Sequence, residues 1–376
     1  MKNRNLQEKS NPTRLLLRGA LALTVAAFFL PAAVFGASAR SGQRAVPVPA
    51  EESVSEVAPE AEQPEGERKT ASVKSGEAEK GEKEKKAKET EQPTRAPTLR
   101  VKRNGKVKTM ALEDYLWGVV AAEVPAKFEQ EALNAQAIAA RTYTLYRVEH
   151  GSPNHPEADI CTDPGCCQAW ITRKDRLAAW EKDRREAYAE KISRAVEETR
   201  GRVLCYQDQP IMAAFHDSSP GRTRSALEVW DSELPYLQAV SSPENQKEVP
   251  DYYSVVTVKA KRFQKLLLAE FPHMKLGKKP KEWLGKVTCD AGGLPVSIAI
   301  GGVDVSTRTL RTLFGLRSAC VTAECDGKQV TFYVTGYGHG VGMSQYGANI
   351  MAEQGKGAEE ILRHYYTGAE VVQWYR

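Results

Sequence analysis

The sequence lacks several patterns that would assign it to a well-known functional class. Its charge is nearly balanced, with 53 basic and 48 acidic side chains among 376 residues and a net charge of +5. This small excess fits an anionic partner such as a wall polymer or a lipid surface, and we expect no nucleic-acid partner. No Gly-Lys-Ser or Gly-Lys-Thr follows its glycine-rich run, which excludes a P-loop. The chain also contains no internal repeat.

Large apolar side chains are missing from one long stretch near the start of the chain. No aromatic residue, leucine or isoleucine occurs between Glu51 and Thr94. The surrounding segment consists mostly of Glu, Lys, Pro, Ser and Ala. Such a composition cannot bury enough surface to offset the entropy lost on ordering. We therefore predict that residues 40–97 are a disordered charged linker that gives reach to a folded domain.

The N-terminal segment has the pattern of an export signal. Five basic residues precede an uncharged, mostly apolar run from Gly19 to Gly36. This run is close to the roughly 20 apolar residues that span a bilayer. We predict that residues 1–39 form a cytoplasmic stub and an anchor helix, which makes the chain a single-pass membrane protein with an extracytoplasmic domain. The alternative is a secreted protein, with a cleaved signal peptide ending at Ala37–Ala39.

Residues 98–376 show helix and hairpin patterns in turn. Apolar residues recur at the helical period over 112–123, and an Ala-rich helix is predicted at 130–147. Asn104-Gly105 and Asp326-Gly327 each separate two β-rich runs, as in hairpins. Because no steady βαβ rhythm appears, we predict an α+β fold of mixed helices and antiparallel hairpins in one catalytic domain. Further expected elements are a charged helix at 174–200, a hairpin joining 203–206 to 211–215, and helices at 345–353 and 358–365.

One carboxyl occupies a distinctive place at the end of the first predicted helix. Glu123 follows Leu112 by eleven residues, which at about 100° per residue returns it to the apolar side of the helix. Burial raises the pKa of a carboxyl, and a carboxyl that is protonated near neutral pH can serve as a general acid. The alternative is a helix-end Glu that points into solvent.

Four residues with metal-binding side chains are concentrated in a turn-rich segment. They are His155, Cys161, Cys166 and Cys167. One imidazole and up to three thiolates can complete a tetrahedral zinc site of the structural kind. The alternative is a disulfide from Cys161 to one of the vicinal cysteines. Cys320 and Cys325 form a second candidate disulfide, which export would permit.

Two loops and one helical arginine offer polar groups to a ligand. The loop 216–223 contains His216, Ser218, Ser219 and Arg222, whose side chains can donate to sugar hydroxyl or acetamido groups. The glycine-rich loop 336–348 contains His339, Gln345 and Tyr346, and its glycines allow a ligand to approach the backbone. Arg141 could hold an anionic group. Ordinary polar turns and a surface arginine are the alternatives, and no glycine elbow marks Ser219 as a nucleophile.

These blocks together resemble the SpoIID/LytB family of lytic transglycosylases, the stage II sporulation protein D type. The resemblance extends from about residue 98 to the end of the chain. The blocks that carry it are Leu112–Pro125, Ala132–Tyr143, Phe215–Thr223, Val229-Trp230, Leu234–Leu237, Gly338–Gly347 and Ile361–Gly368. Several long blocks in a fixed order make chance agreement improbable.

The resemblance implies roles for individual residues. Glu123 matches the catalytic glutamate of the family's Ala-Ala-Glu-x-Pro motif, and Arg141, Tyr236 and the two loops match substrate-binding residues. His155, Cys161 and Cys167 are similar to a zinc site of some members, with Cys166 in a more variable position. Members act on peptidoglycan strands stripped of stem peptides and, in sporulating bacteria, work with a wall amidase during engulfment. Two residues depart from the family pattern: we expect Pro220 to change the shape of its loop and Gln238, which replaces a basic residue of some relatives, to change the adjoining substrate subsite.

The number of well-placed carboxyls favours a lytic transglycosylase over a hydrolytic glycosidase. A hydrolytic glycosidase usually needs two carboxyls, and the sequence offers one that is well placed. A lytic transglycosylase needs one, because the 6-hydroxyl of N-acetylmuramic acid (MurNAc) attacks its own C1 and forms a 1,6-anhydro end. Two other readings stay open: a non-catalytic wall-binding scaffold or amidase activator, and a cysteine peptidase that uses Cys166 or Cys167 with His339.

Overall fold

The computed structural model describes residues 96–376. The predicted anchor at 1–39 and all but the last two residues of the predicted linker lie outside the described residues. Within 96–376, no helix has both the length and the apolar character required to cross a bilayer.

Helices and strands are interspersed along the described chain, which confirms the α+β class. The helices are α1 (Leu112–Glu123), α2 (Gln130–His150), α3 (Arg173–Ala179), α4 (Arg185–Glu198), α5 (Ala226–Trp230), α6 (Ala260–Glu270), α7 (Thr307–Phe314), α8 (Gln345–Glu353) and α9 (Ala358–Tyr365). The strands are β1 (Thr98–Arg103), β2 (Lys106–Ala111), β3 (Ile160–Cys161), β4 (Arg202–Tyr206), β5 (Gln209–Pro210), β6 (Phe215–His216), β7 (Tyr253–Lys259), β8 (Leu284–Cys289), β9 (Pro295–Ile300), β10 (Val303–Ser306), β11 (Val321–Cys325), β12 (Gln329–Thr335), β13 (Met343–Ser344) and β14 (Glu370–Gln373).

The larger of two hydrophobic cores is organised around α2. This helix packs against α1, α4, α8, α9 and β4. Its alanines at 135, 137, 139 and 140 are fully buried, since small side chains let neighbouring helices approach from several directions. The Ala-rich pattern therefore places α1 and α8, which both carry predicted site residues, against one central helix.

A smaller lobe, residues 253–335, has a hydrophobic core of its own. Two antiparallel sheets, ordered β11-β12-β7 and β10-β9-β8, enclose this core together with α6 and α7. Phe263 stacks at 5.2 Å on Phe314 and at 6.1 Å on Trp283 in its centre. The ends of the lobe meet, because the backbone N–H of Gly336 donates to the carbonyl of Tyr252 at 2.8 Å.

The two loops predicted to bind substrate lie side by side. Short strands β6 and β13 pair in parallel, with Ser344 opposite His216. Ser218 forms an isolated bridge with Tyr337. The small lobe is thus inserted between two segments that are joined to each other in space.

Several predicted elements differ from the structure. The charged helix at 174–200 is divided into α3 and α4, since Trp180 ends the first helix and packs against Trp117 and Tyr188. The hairpin at 203–215 is shorter than predicted, because β5 ends at Pro210 and β6 pairs with β13 instead. Both Asn-Gly and Asp-Gly hairpins are confirmed. Asn104 and Gly105 have φ values of 48° and 72°, as a type I′ turn requires.

The candidate disulfide between Cys320 and Cys325 is not formed. Both cysteines are free, and β11 separates them as an extended strand. Five steps of roughly 3.3 Å place their Cα atoms well beyond the 7 Å that a disulfide can bridge.

Candidate functional site

Glu123 is the last residue of α1, and its carboxyl turns into the protein. Val124 leaves the helix in an extended conformation ahead of Pro125. The backbone N–H of Ala169 donates to Oε1 of Glu123 at 2.6 Å. The buried side chain of Gln345, at the start of α8, also approaches the carboxyl and favours its ionised form, although its Nε2 has no hydrogen-bond partner of good geometry.

The surroundings of Glu123 favour its protonated form. Burial raises the pKa of the carboxyl to about 7 from an ordinary value of 4.5. The hydrogen bond from the Ala169 N–H and the nearby Gln345 amide lower the pKa, and the nearby carboxylate of Asp217 raises it. A carboxyl with this pKa is partly protonated at neutral pH, as a general acid must be.

The segment that supplies Ala169 is fixed to the side of α1. The Trp170 Nε1–H donates to the carbonyl of Tyr115 at 3.1 Å, and the Ile171 N–H donates to the carbonyl of Gly118 at 3.2 Å. Gly118 permits this contact, because a Cβ there would overlap the Trp170 indole. The bond to Glu123 thus comes from backbone that is itself held in place.

Asp217 is a second carboxyl near Glu123 that the sequence reasoning did not single out. Its charge is close enough to raise the pKa of Glu123. Burial likewise raises the pKa of Asp217, while a 3.0 Å hydrogen bond from the Ser218 hydroxyl lowers it. Asp217 lies in the block Phe215–Thr223 that carries the family resemblance. Its proximity to Glu123, however, depends on the contact between β6 and β13, which no local sequence pattern reveals.

His216 and Ser219 form a buried pair. The Nε2 of His216 lies 2.7 Å from the Ser219 hydroxyl, and its Nδ1 lies 3.2 Å from the carbonyl of Val341. A carbonyl only accepts, so Nδ1 carries the proton and Nε2 accepts from the serine. Burial lowers the pKa of His216 to about 3. Because Ser219 is fully buried, this pair stabilises the loop and offers no nucleophile to a substrate.

Glu244 is a buried acid that connects the two loops. Its Oε1 accepts from the Ser219 N–H at 2.5 Å and from the Ser344 hydroxyl at 2.6 Å. Sequence reasoning missed Glu244 because it lies outside every motif. Ser219 belongs to the first loop and Ser344 to the second, so Glu244 fixes the spacing between the two loops.

Arg141 does not have the surroundings of a substrate-binding residue. Its side chain is fully buried and forms an ion pair with Glu113 at 2.8 Å. It also donates to Thr199 and to the carbonyls of Val196 and Arg202. The prediction that Arg141 contacts a sugar does not fit this placement, since its guanidinium is already bonded on every side and joins α1, α2 and α4.

Tyr236, Tyr346 and Arg222, which were also predicted to bind substrate, differ in exposure and in partners. Tyr236 is mostly buried against Tyr206, and its hydroxyl accepts from the Met212 N–H at 3.3 Å. Tyr346 is half-buried and packs edge-on against Phe128. Arg222 forms ion pairs with Asp290 at 3.2 Å and Glu228 at 3.7 Å, so its charge is already balanced.

His339 lies beside His216 and Trp230 in the glycine-rich loop. Their ring centroids are 5.5 Å and 5.2 Å from that of His339. Burial and the neighbouring Arg311 lower the pKa of His339 to about 4, so its imidazole is neutral at physiological pH. His339 and His216 are therefore adjacent neutral imidazoles in the two paired loops.

The four predicted metal ligands come together in the structure. The ligand atoms of His155, Cys161, Cys166 and Cys167 all lie within 4.8 Å of one another. The Nε2 of His155 is 3.1 Å from the Cys167 sulfur, and its Nδ1 is 3.1 Å from the carbonyl of Ala158, which fixes the tautomer as in known zinc sites.

This donor set fits a tetrahedral zinc ion. Three sulfurs and one imidazole nitrogen are ligands that zinc prefers, and ligand atoms around zinc are about 3.3–3.8 Å apart. None of the three cysteines forms a disulfide. Burial raises the pKa of the Cys167 thiol to about 12, so a thiolate there needs a cation beside it. The same grouping places Cys167 against His155, whereas a cysteine peptidase would need it against His339.

Comparison with known proteins gives a consistent result. The family model described as stage II sporulation protein, SpoIID, matches residues 101–206. The chain is 37% identical over 286 residues to stage II sporulation protein D of Bacillus amyloliquefaciens, covering 75% of this chain and 79% of that protein. It is 37% identical over 283 residues to the Bacillus subtilis (strain 168) protein of the same name, covering 74% and 79%. It is 27% identical over 316 residues to the amidase enhancer of Bacillus subtilis (strain 168), covering 69% of this chain and 40% of that protein.

Proposed function

This chain belongs to the stage II sporulation protein D family, and on that premise we propose that it is a peptidoglycan lytic transglycosylase. The observation that supports this activity most directly is the carboxyl of Glu123, whose pKa burial raises to about 7. The substrate is the bond between MurNAc and N-acetylglucosamine in glycan strands that have lost their stem peptides. Sporulation or wall remodelling is the setting that the names of its relatives support.

In the proposed mechanism Glu123 acts twice. The protonated carboxyl donates its proton to the glycosidic oxygen as the bond to C1 breaks. The resulting carboxylate takes a proton from the MurNAc 6-hydroxyl as that oxygen bonds to C1. The products are a 1,6-anhydro-MurNAc end and a free 4-hydroxyl, and Glu123 regains its proton. Attack within one sugar needs no ordered water and gains from proximity.

Neighbouring groups support both stages of this cycle. The Ala169 N–H stabilises the carboxylate after the first proton transfer, because it donates to Oε1 at 2.6 Å. The buried Gln345 side chain also favours the ionised form of this carboxyl. The charge of Asp217 restores the tendency of Glu123 to hold a proton. Asp217 also offers stabilisation to the positive charge that develops at C1.

The proposal includes a structural zinc ion and a location. His155, Cys161, Cys166 and Cys167 would hold the ion, which would fasten the 155–167 segment and not take part in proton transfer. The segment 1–39 would anchor the chain in the cell membrane, with the folded domain outside, or direct its secretion if it is cleaved. Partners would be glycan strands, the membrane and a wall amidase.

Mass spectrometry of products from peptide-free glycan strands tests the activity. The wild-type chain should release 1,6-anhydro-MurNAc ends, and Glu123→Gln should reduce their release by about 10²–10⁴-fold, the usual contribution of general acid–base catalysis. Glu149→Gln, at an exposed position on α2, is the matched control. Reducing MurNAc ends in place of anhydro ends would show that water is the nucleophile and that Asp217 serves as a second carboxyl.

The second candidate function is activation of a wall amidase. The similarity to a protein named amidase enhancer favours it. An activator would increase the release of stem peptides by an added amidase, and Glu123→Gln would leave that increase intact. Anhydro ends produced by the purified wild-type chain alone would exclude a purely non-catalytic role.

A further inference from the structure

A cleft formed in part by the 218–224 loop contains a cation that has no acidic partner among the described residues. The cleft lies between the 218–224 loop, the glycines at 338 and 340, and residues 318–320 of the small lobe. Arg222 and Arg224 both line it. Their side chains differ in a way that identifies which of them is available to a ligand.

Arg224 is the unbalanced cation. It is 93% buried, and among the described residues no carboxylate lies within 4.0 Å of its guanidinium. Its one side-chain hydrogen bond within that part of the chain runs from Nη2 to the carbonyl of Pro295 at 2.7 Å. Nε and Nη1 are left as free donors at the cleft. A buried charge without a partner is costly, so its retention here points to an anion supplied from outside.

Arg222, two residues before Arg224, differs from it in having acidic partners. Asp290 and Glu228 surround its guanidinium, and Asp290 is itself mostly buried. Among the described residues that line the cleft, Arg224 is therefore the cation left without an acidic partner, and Asp290 lies close to its neighbour Arg222. This balance suits a singly charged anion, because a dianionic phosphate would also be repelled by Asp290.

The position of the cleft relates it to the proposed reaction. Ser218 lines the cleft, and the preceding residue, Asp217, acts on Glu123. A sugar bound at Glu123 would extend along the 217–224 loop and present its neighbouring substituents to this cleft. MurNAc carries one anionic group, the lactyl ether acid, and that acid is free only where the stem peptide has been removed.

We propose that Arg224 binds the free lactyl carboxylate of MurNAc and thereby selects glycan strands without stem peptides. This inference rests on the proposed function. A guanidinium pairs with a carboxylate through two parallel hydrogen bonds, whereas the amide of an intact stem peptide is neutral and leaves the buried charge unbalanced. Selection then comes from the penalty on the wrong substrate as well as from attraction to the right one.

Binding measurements on the full-length chain in detergent test the assignment. Glu123→Gln provides a background in which the strand is bound but not cut. The probes are a MurNAc-containing oligosaccharide with free lactyl acids and the same oligosaccharide with those acids converted to amides. Amidation should weaken binding by about 10- to 100-fold, the range for a hydrogen bond to a charged group.

Variants of Arg224 separate direct recognition from support of the fold. Arg224→Met should weaken binding of the acid by a similar factor and leave binding of the amide unchanged, and Arg224→Lys should restore part of the preference. Arg184→Met, at an exposed position before α4, is the control. Equal losses for acid and amide would overturn the proposal, as would equal affinities of the unmodified Arg224 chain for both probes. Because that comparison needs no substitution at position 224, it holds even if a variant fails to fold.

Two further results distinguish the proposed role of Arg224 from the proposed transglycosylase activity. Wild-type chain that yields anhydro ends equally well from acid and amidated strands would disprove the role of Arg224 and retain the transglycosylase. No anhydro ends from either strand would disprove the transglycosylase itself. Displacement of the oligosaccharide by inorganic phosphate at lower concentration than by lactate would identify a phosphate site and overturn the carboxylate assignment.

Discussion

The backbone N–H of Ala169 lies 2.6 Å from Oε1 of Glu123 and donates to it. Ala169 follows Cys167 by two residues, so the segment that gathers the four metal-binding side chains also delivers this donor. Two motifs that are more than thirty residues apart in the sequence are therefore parts of one structure. A change at the cysteines is expected to affect the Glu123 carboxyl through a short stretch of backbone.

Loss of the metal-binding cysteines should lower both metal content and stability. Cys167→Ser removes a ligand whose sulfur lies 3.1 Å from Nε2 of His155. We expect the purified chain to contain less than stoichiometric zinc by elemental analysis, and its thermal unfolding midpoint to fall. Cys289→Ser, at an exposed free cysteine, is the control. Full stability and activity in a metal-free wild-type chain would argue against a structural zinc.

The activity of the chain should decline as the pH rises through about 7. Glu123 must carry a proton to act as the general acid, and burial raises the pKa of its carboxyl to that value. The pH profile of kcat/KM on peptide-free strands should therefore show a basic limb with an apparent pKa near 7. A limb near 4.5 would mean that the carboxyl is not desolvated when the substrate arrives.

The same carboxyl should make stability depend on pH. Its pKa is about 7 in the folded chain, above the ordinary value of 4.5. Protonation of Glu123 therefore contributes its full share of the folding stability below pH 4.5, and this contribution is lost as the pH rises through about 7. Glu123→Gln has no such loss. At pH 8 the free energy of unfolding of the variant should exceed that of the wild type by up to roughly 3 kcal/mol, measured with urea. At pH 4 the two should be equally stable, and a constant difference at both pH values would contradict this explanation.

Asp217→Asn should move the basic limb of the activity profile to lower pH. The Asp217 carboxylate raises the pKa of Glu123, and an amide of similar shape removes that charge. Asp304→Asn, on exposed β10, should leave the limb unchanged. If Asp217 instead activated water, its loss would abolish turnover and not shift the profile.

Arg141 should prove important for stability. Replacing it with Met leaves Glu113 without its buried partner, although the Tyr375 hydroxyl continues to donate to that carboxylate. Breaking a buried ion pair costs about 3–5 kcal/mol, which urea unfolding would detect. Below the unfolding transition the variant should keep its affinity for glycan strands, and a selective rise in KM without loss of stability would show that Arg141 reaches the substrate after all.

Local patterns predicted the elements of this fold better than its associations. The limits of α1 agree with prediction because its apolar period and Pro125 are encoded within a few residues. The Asn104-Gly105 turn was equally local. By contrast, β6 and β13 are two-residue strands that exist only because they pair with each other across more than a hundred residues. No periodicity can develop over two residues.

The same distinction applies to the site. Glu123 and the four metal-binding residues stood out because their chemistry is unusual in its local setting. Asp217, Glu244 and Arg224 did not, since an acid or arginine in a polar loop is ordinary until its burial and partners are known. Arg141 shows the converse: a polar residue in an Ala-rich helix suggests a binding role, whereas the structure pairs it with an acid from the neighbouring helix.

The adjacency of Tyr252 and Gly336 has a consequence for how relatives of this chain can differ. The two ends of the lobe at 253–335 lie next to each other, so the rest of the fold does not restrict the number of residues between them. The lobe at 253–335 is therefore free to be trimmed, enlarged or exchanged while the strands on either side stay in register. Under the proposed function, differences in substrate recognition among relatives should accordingly concentrate in this lobe, and Glu123 on α1 should remain constant.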